Sequence, residues 1–154
     1  ITKELALLAY TELFELHSEE PKSNYQKWFG TAEQSHLTTV RAQFAKIIQQ
    51  TTSLQTTRFT YACRLCDFKT GSGQEWMIAY INAALYEKIN LCAQFWTQPS
   101  YNTGSQAGTL IRAFLQFTEH GRTPDFYITP AEVITLAHQN PERAISNAES
   151  YKYL

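Results

Sequence analysis

The sequence lacks an apolar run close to the roughly 20 residues that a membrane-spanning helix requires. It also lacks an excess of charge of either sign, since its net charge is −1 over 154 residues. Binding to nucleic acid or to an anionic membrane needs basic surface, so we expect no nucleic-acid partner and no membrane span. No GxSxG, P-loop or GxGxxG motif occurs. The chain opens at Ile1 without an apolar leader, and we therefore interpret it as a mature or trimmed polypeptide.

Cysteine is scarce, with only Cys63, Cys66 and Cys92. The CxxC pair of Cys63 and Cys66 is a pattern shared by half zinc sites and redox pairs. Cys92 with a single histidine is a poor second half, and the aromatic, strand-like surroundings of the pair disfavour an exposed redox motif. We predict one structural disulfide, Cys66 to Cys92, with Cys63 left over. Secretion would follow from a stable disulfide.

What the sequence does contain is typical of one packed globular domain over residues 1–154. Hydrophobic residues make up 44% and aromatic residues 14% of the chain, enough for a proper core. Hydrophobic periodicity predicts helices over about 3–18 and 35–51, with Pro21 and Asn24 in a loop between them. From Thr57 to Phe95 the period changes to alternation and favours a small sheet.

Three helices are predicted after the sheet. Ser105 is a plausible N-cap for the first. Thr129-Pro130 with Glu132 forms a capping box with proline at the first helical position, and Asn140 is placed in the same way before Pro141. The fold class is therefore α+β and mainly helical, with a small β-sheet.

Four local patterns then occur in an order found in one enzyme family. They are Tyr25-x-x-Trp28-Phe29-Gly30, Leu91-Cys92-x-x-Phe95-Trp96, Ser105-Gln-Ala-Gly-Thr-Leu110, and Asn147-Ala148-x-x-x-x-Tyr153. Together they resemble the deuterolysin-like, or aspzincin, metallopeptidases, which include the peptidyl-Lys endopeptidases. The resemblance implies a zincin-like domain.

The resemblance also implies positions for the active site. Members of that family bind zinc through the histidines of HExxH and a downstream aspartate, and the glutamate of the motif activates water. By family offset these positions are Arg112, Ala113, Gln116 and Asp125, of which only the aspartate keeps its identity. A guanidinium has no lone pair to donate to zinc. We therefore expect no metal and no cofactor.

Two further family positions are altered. The transition-state tyrosine falls at Ile128, with Tyr127 one position away, and the two acids that hold the substrate lysine fall at Glu149 and Lys152. A Lys152 ammonium would repel a substrate lysine. In place of the metal we predict an ion pair between Arg112 and Asp125, because a guanidinium suits a carboxylate.

These changes lead to the expectation that the chain is not an enzyme but a secreted, non-catalytic relative. It would bind a peptide, a glycan or a protein partner through the former active-site cleft. Trp76 and Tyr101 are the best exposed aromatic candidates for that surface, while Trp28 and Trp96 are assigned to the core. Two alternatives stay open: a metalloendopeptidase-type hydrolase with an altered site, and a module of a larger secreted toxin or effector. A replacement metal site around Glu119 and His120 is disfavoured, because adjacent helical residues point apart.

Overall fold

The structure is a computed structural model. It describes residues 2–15, 19–52, 60–62, 78–82, 84, 88–101, 104–117, 122–126 and 128–154. Its helices are α1 (Thr2–Glu12), α2 (Glu19–Phe29), α3 (Gln34–Thr52), α4 (Gln106–Leu115), α5 (Pro130–Gln139), α6 (Pro141–Ala144) and α7 (Ala148–Tyr151). A 3₁₀ helix covers Ala93–Thr97. None of the described helices is long and apolar enough to cross a membrane.

Helices α1 and α3 pack side by side, as their periodicity predicts. The buried face of α3 carries Leu37, Val40, Phe44 and Ile47, which recur every three or four residues. Helix α1 ends earlier than expected, at Glu12.

The predicted loop around Pro21 and Asn24 is wrong, because both residues lie in helix α2. Pro21 is the third residue of this helix, and a proline in the first turn breaks no intrahelical hydrogen bond. Helix α2 then places Tyr25, Trp28 and Phe29 on one buried face.

The small sheet predicted between Thr57 and Phe95 is confirmed. Its described strands are β1 (Thr60–Ala62), β2 (Ala79–Ile81) and β3 (Lys88–Leu91), in the order β1-β3-β2. Strand β1 is parallel to β3, and β2 is antiparallel to it. No strand of the described residues covers the outer edge of β2, which faces helix α4.

The caps expected in the second half are present. Ser105 Oγ accepts a hydrogen bond from Gly108 N at 3.1 Å and starts α4. Thr129 and Glu132 form the reciprocal capping box of α5. The single last helix expected after Asn140 is instead two short helices, α6 and α7, joined by a turn at residues 145–147.

The core lies between α1–α3 on one side and α4 and α7 on the other. Tyr151 of α7 reaches its centre, with ring centroids 5.0 Å from Phe29 and 5.4 Å from Phe44. Gly30, at φ +80°, ends α2 against α5, and a Cβ there would lie 2.2 Å from Ala137 O, so only glycine fits. The family-like segment from Tyr25 to Gly30 is therefore a packing element.

Candidate functional site

A cleft of about 580 Å³ lies between strand β2 and helix α4. Residues 78–81 line one wall, and Thr109, Arg112 and Gln116 line the other. These three positions of α4 share a face, because they are spaced by three and four residues. Glu149 and Lys152, at the end of α7, close the cleft together with Ile128.

Arg112 forms the predicted ion pair with Asp125. Its Nε lies 3.0 Å and its Nη2 2.5 Å from the same oxygen, Asp125 Oδ2. Gln116 Nε2 donates a hydrogen bond to that oxygen as well. The pair is partly buried, with 23% of the arginine and 13% of the aspartate side chain exposed. All three donors therefore converge on one carboxylate oxygen rather than forming a side-on fork.

Glu149 is the second acid of the cleft, and the sequence did not indicate its pairing with Arg112. Glu149 Oε2 lies 2.8 Å from Arg112 Nε, and Oε1 lies 2.8 Å from Lys152 Nζ. Tyr153 donates its hydroxyl hydrogen to the same Oε1 at 2.9 Å. We call Arg112, Asp125, Glu149 and Lys152 the ionic cluster; its two cations and two anions cancel.

The surroundings shift the pKa values of two groups here. Burial lowers the pKa of Arg112, but hydrogen bonding and attraction to Asp125 and Glu149 more than offset this, so the net shift is upward. Burial and the neighbouring Glu149 raise the pKa of Tyr153 above its ordinary range. Arg112 therefore stays cationic and Tyr153 stays a neutral donor at physiological pH.

Asp125 is held in place by its chain neighbours. Ala148 N donates to Pro124 O at 2.9 Å, and Phe126 N donates to Asn147 Oδ1 at 2.8 Å. The segment that carries Asp125 is thus hydrogen-bonded on both flanks to the start of α7, which carries Glu149. This arrangement holds the two carboxylates together beside Arg112 Nε.

Two buried polar atoms in this region have no hydrogen-bond partner, Asp125 Oδ1 and Thr109 Oγ1. An unpaired buried acceptor or hydroxyl costs roughly 1–3 kcal/mol. The two residues belong to the ionic cluster and to the cleft wall. The site therefore keeps unused hydrogen-bonding capacity beside the cleft.

The residues at the positions that the resemblance assigns to the metal ligands do not fit a zinc ion. Arg112 and Gln116 are present as hydrogen-bond donors, and both donate to Asp125 Oδ2. Within the described ranges, no three histidine, cysteine, aspartate or glutamate side chains are grouped so that they could hold a metal.

The structure brings together most of the predicted site residues. Arg112, Gln116, Glu149, Lys152 and Ile128 all line the cleft. Ala113, at the position that the resemblance assigns to the glutamate, does not line it and is buried in the core. Sequence reasoning missed Thr109 and strand β2; the i, i+3, i+7 spacing on α4 was the available signal for Thr109.

Other predicted positions lie elsewhere. Tyr101 is exposed, as expected, but it does not line the cleft. Trp96 was assigned to the core and is 59% exposed. Tyr127, Trp76, Cys63, Cys66, Glu119 and His120 lie outside the described residues, so the Cys66–Cys92 disulfide stays a prediction; Cys92 is buried.

Comparison with known proteins gives a consistent result. The sequence profile described as "Lysine-specific metallo-endopeptidase", that of the aspzincins, matches residues 15–154. The peptidyl-Lys metalloendopeptidase of Pleurotus ostreatus is 34% identical over 131 residues, which are 85% of this chain and 71% of that protein. The extracellular protease of Aeromonas hydrophila is 28% identical over 84% of this chain and 34% of its own length.

The fold is also similar to a solved structure. The zinc peptidase from Grifola frondosa superposes with a TM-score of 0.80 and 25% identity, covering 99% of this chain and 85% of that one. The chain spans about a third of the length of the curated peptidyl-Lys metalloendopeptidase from the same organism.

These similarities contradict our expectation that the chain is not an enzyme. The proteins that it matches over most of its length are named as peptidases. The expectation of inactivity came from a few substituted positions on α4 and in the segment that follows it. We therefore withdraw it and consider a peptidase with an altered site.

Proposed function

This chain belongs to the aspzincin family, described as lysine-specific metallo-endopeptidases, and on that premise we propose that it is a metalloendopeptidase-type hydrolase with an altered site. It binds an extended peptide in the cleft between β2 and α4. The same proposal treats residues 1–154 as one domain. Its secretion is supported by the relative named as an extracellular protease.

The observation that carries the proposal is the position of strand β2. It is an edge strand of the described sheet, and residues 78–81 form one wall of the cleft. An exposed strand edge binds an extended peptide through main-chain hydrogen bonds, while pockets alongside receive side chains. A cleft of about 580 Å³ has room for such side chains.

Arg112 is the residue of this site best suited to stabilise charge on a peptide carbonyl. Its Nε and Nη2 donate to the carboxylates, and Nη1 has no partner among the described residues. Two anions hold the guanidinium in a fixed position, so it needs no reorganisation when negative charge develops on a carbonyl oxygen. One such donor typically contributes roughly 10²–10³-fold in rate.

Both carboxylates beside Arg112 are held in ion pairs, and of their four oxygens only Asp125 Oδ1 has no hydrogen-bond partner, so neither carboxylate is free of a cation. Asp125 Oδ2 accepts three hydrogen bonds, and Glu149 is shared by Arg112, Lys152 and Tyr153. Loss of a general base typically costs about 10²–10⁴-fold. Because the site does not fit zinc, we expect slow hydrolysis without a metal. Water attacks the peptide carbonyl carbon, Arg112 stabilises the oxyanion, and the C–N bond then breaks as the leaving amine takes a proton from that water.

The test compares peptide cleavage by the wild-type chain and two variants. A mixed set of decapeptides is incubated with each protein, with and without a chelator, and the products are identified by mass spectrometry. Arg112→Lys keeps the positive charge but removes the planar donors, so it should reduce cleavage roughly 10²-fold. Arg143→Lys is the matched control, since Arg143 is exposed and lies over Phe126 outside the cleft.

Cleavage that survives the chelator and falls only in Arg112→Lys supports the proposal. Cleavage that is abolished by the chelator, or that is equal in both variants, overturns the role given to Arg112. If peptides bind, as measured by fluorescence anisotropy, but none is cleaved over days, the hydrolytic part of the proposal is wrong.

A further inference from the structure

The acids of the cleft already have cations of their own. A lysine-specific site requires an unpaired carboxylate that can receive the substrate ammonium. Glu149 and Asp125 are the acids of the ionic cluster, and both are engaged by Arg112, with Lys152 as a further partner of Glu149. A substrate lysine that entered here would meet two fixed cations and would have to displace one of them.

Lys152 is held in the cleft by the packing of the backbone. Its side chain is 9% exposed, and Nζ lies 2.8 Å from Glu149 Oε1. Helix α4 allows this because residue 108 is glycine: a Cβ there would lie 2.6 Å from Lys152 O and 2.9 Å from Lys152 Cγ. The Lys152 ammonium is therefore a fixed partner of the Glu149 carboxylate and not a mobile surface charge.

The remaining lining of the cleft is mainly apolar. Ile78, Ile81 and Ile128 are among its lining residues, and Ile128 is 43% exposed. Transfer of a leucine-sized side chain from water onto such a surface is favourable. Burial of a second ammonium beside Lys152 and Arg112 would cost free energy, because like charges repel and lose hydration.

We infer that this cleft selects peptides that present a neutral, apolar side chain. Lys152 excludes a substrate lysine because it already forms the ion pair with Glu149 that the substrate would need. The inference rests on the proposed function, since it names the substrate class of the same cleft. It departs from the lysine specificity by which the family as a whole is described.

The experiment measures binding, so that it does not depend on turnover. Labelled pentapeptides Ala-Ala-X-Ala-Ala, capped at both ends, with X as leucine, lysine or glutamate, are titrated with the protein, and anisotropy gives Kd. For the wild-type chain we expect the leucine peptide to bind about tenfold more tightly than the lysine peptide, a difference equivalent to roughly 1.4 kcal/mol.

The variant Lys152→Met tests the contribution of the Lys152 ammonium separately from that of the other cleft residues. The variant leaves Glu149 with Arg112 and Tyr153 and vacates the position of the ammonium. We expect it to bind the lysine peptide about tenfold more tightly than the wild-type chain does, in keeping with one charged hydrogen bond. Lys46→Met, on the exposed face of α3, is the matched control and should change nothing.

Two further variants keep the inference falsifiable if Lys152→Met folds poorly. In Glu149→Gln combined with Lys152→Met, the gain for lysine should vanish, because the receiving charge is gone. Gly108→Ala should displace Lys152 and raise the lysine affinity in part. Circular dichroism and thermal unfolding confirm the fold of each variant.

The outcomes are distinguishable. If the wild-type chain binds the lysine peptide as well as the leucine peptide, or better, the inference is overturned while peptide binding stands. The inference is likewise overturned if folded Lys152→Met keeps the wild-type preference. If no peptide of the set binds at millimolar concentration, both the inference and the proposed function are wrong.

Discussion

The aromatic core and the ionic cluster meet at helix α7 and are stabilised by different interactions, apolar burial in the core and ion pairing in the cluster. On one side Tyr151 packs against Phe29 and Phe44 in a region without exposed surface. On the other side Glu149 contacts Arg112 and Lys152. Burial of apolar surface is favourable in any orientation, whereas a buried charge is tolerated only if its partners stand at the right distance.

The difference separates what fixes the fold from what fixes the chemistry. The core tolerates exchange among apolar side chains of similar volume at modest cost. The cluster does not tolerate the loss of one member, because the others are then left with an uncompensated charge. We therefore expect substitutions in the core to change stability alone and substitutions in the cluster to change stability and ligand preference together.

The largest effect is expected in the core. Phe44→Ala removes a fully buried ring that contacts Tyr151, and large-to-small changes of this kind cost about 3–5 kcal/mol. Urea denaturation followed by fluorescence measures the free energy of unfolding. A loss below about 1 kcal/mol would mean that the core is not the dominant source of stability.

The next effect is expected in the cluster. Asp125→Asn removes one of the two anions around Arg112 but leaves Glu149 in place. The pair is partly buried, so the cost should lie between that of an exposed pair and that of a buried one, about 1–3 kcal/mol. The same denaturation measures it. A change within experimental error would show that the pair is effectively solvated and contributes no more to stability than an exposed ion pair.

Alkaline pH probes the junction between the two regions. Burial, with a smaller effect from Tyr25, raises the pKa of Tyr151 above its ordinary value. The folded chain then holds a proton that the unfolded chain releases above pH of roughly 10, so stability falls as pH rises past that value, by up to about 1.4 kcal/mol per pH unit. Tyr151→Phe should reduce the slope, to which Tyr153 with its raised pKa also contributes, and Tyr101→Phe, at an exposed position, should leave it unchanged. Parallel slopes in all three proteins would contradict this assignment.

The smallest effect is expected at a pair outside both regions. His36 is buried and lies 2.9 Å from Glu142, whose side chain is 80% exposed. Glu142→Gln should cost about 0–1 kcal/mol, because water screens the pair. A cost as large as that of Asp125→Asn would show that exposure does not separate the ionic contacts of this chain.

The sequence predicted those parts of the structure that depend on local patterns. The apolar spacing of Leu37, Val40, Phe44 and Ile47 defined α3, and the caps at Ser105 and Thr129 defined α4 and α5. It also predicted the pairing of Arg112 with Asp125, because the resemblance placed both at one site. These features need only neighbours in sequence or an aligned motif.

The parts that it missed depend on contacts between distant segments. Pro21 signalled a loop, but the burial of Tyr25 and Phe29 in the core rewards a helix there. The contact of Glu149 with Arg112 and the approach of Lys152 to Gly108 join α7 to α4 across about 40 residues, for which no local pattern exists. The expectation of inactivity failed differently, because a few substituted positions were allowed to outweigh the similarity of the whole domain.

The hydrogen bonds that tie residues 124 and 126 to the start of α7 have a mechanical consequence. Ala148 N and Asn147 Oδ1 hold the backbone on both sides of Asp125, so the distance between this aspartate and Glu149 is fixed by the backbone. Arg112 contacts both carboxylates through its Nε. A smaller cation in place of Arg112 would contact the carboxylates less closely, because the backbone prevents them from moving toward it. The fixed separation of the carboxylates therefore decides which residue the chain can accept at position 112.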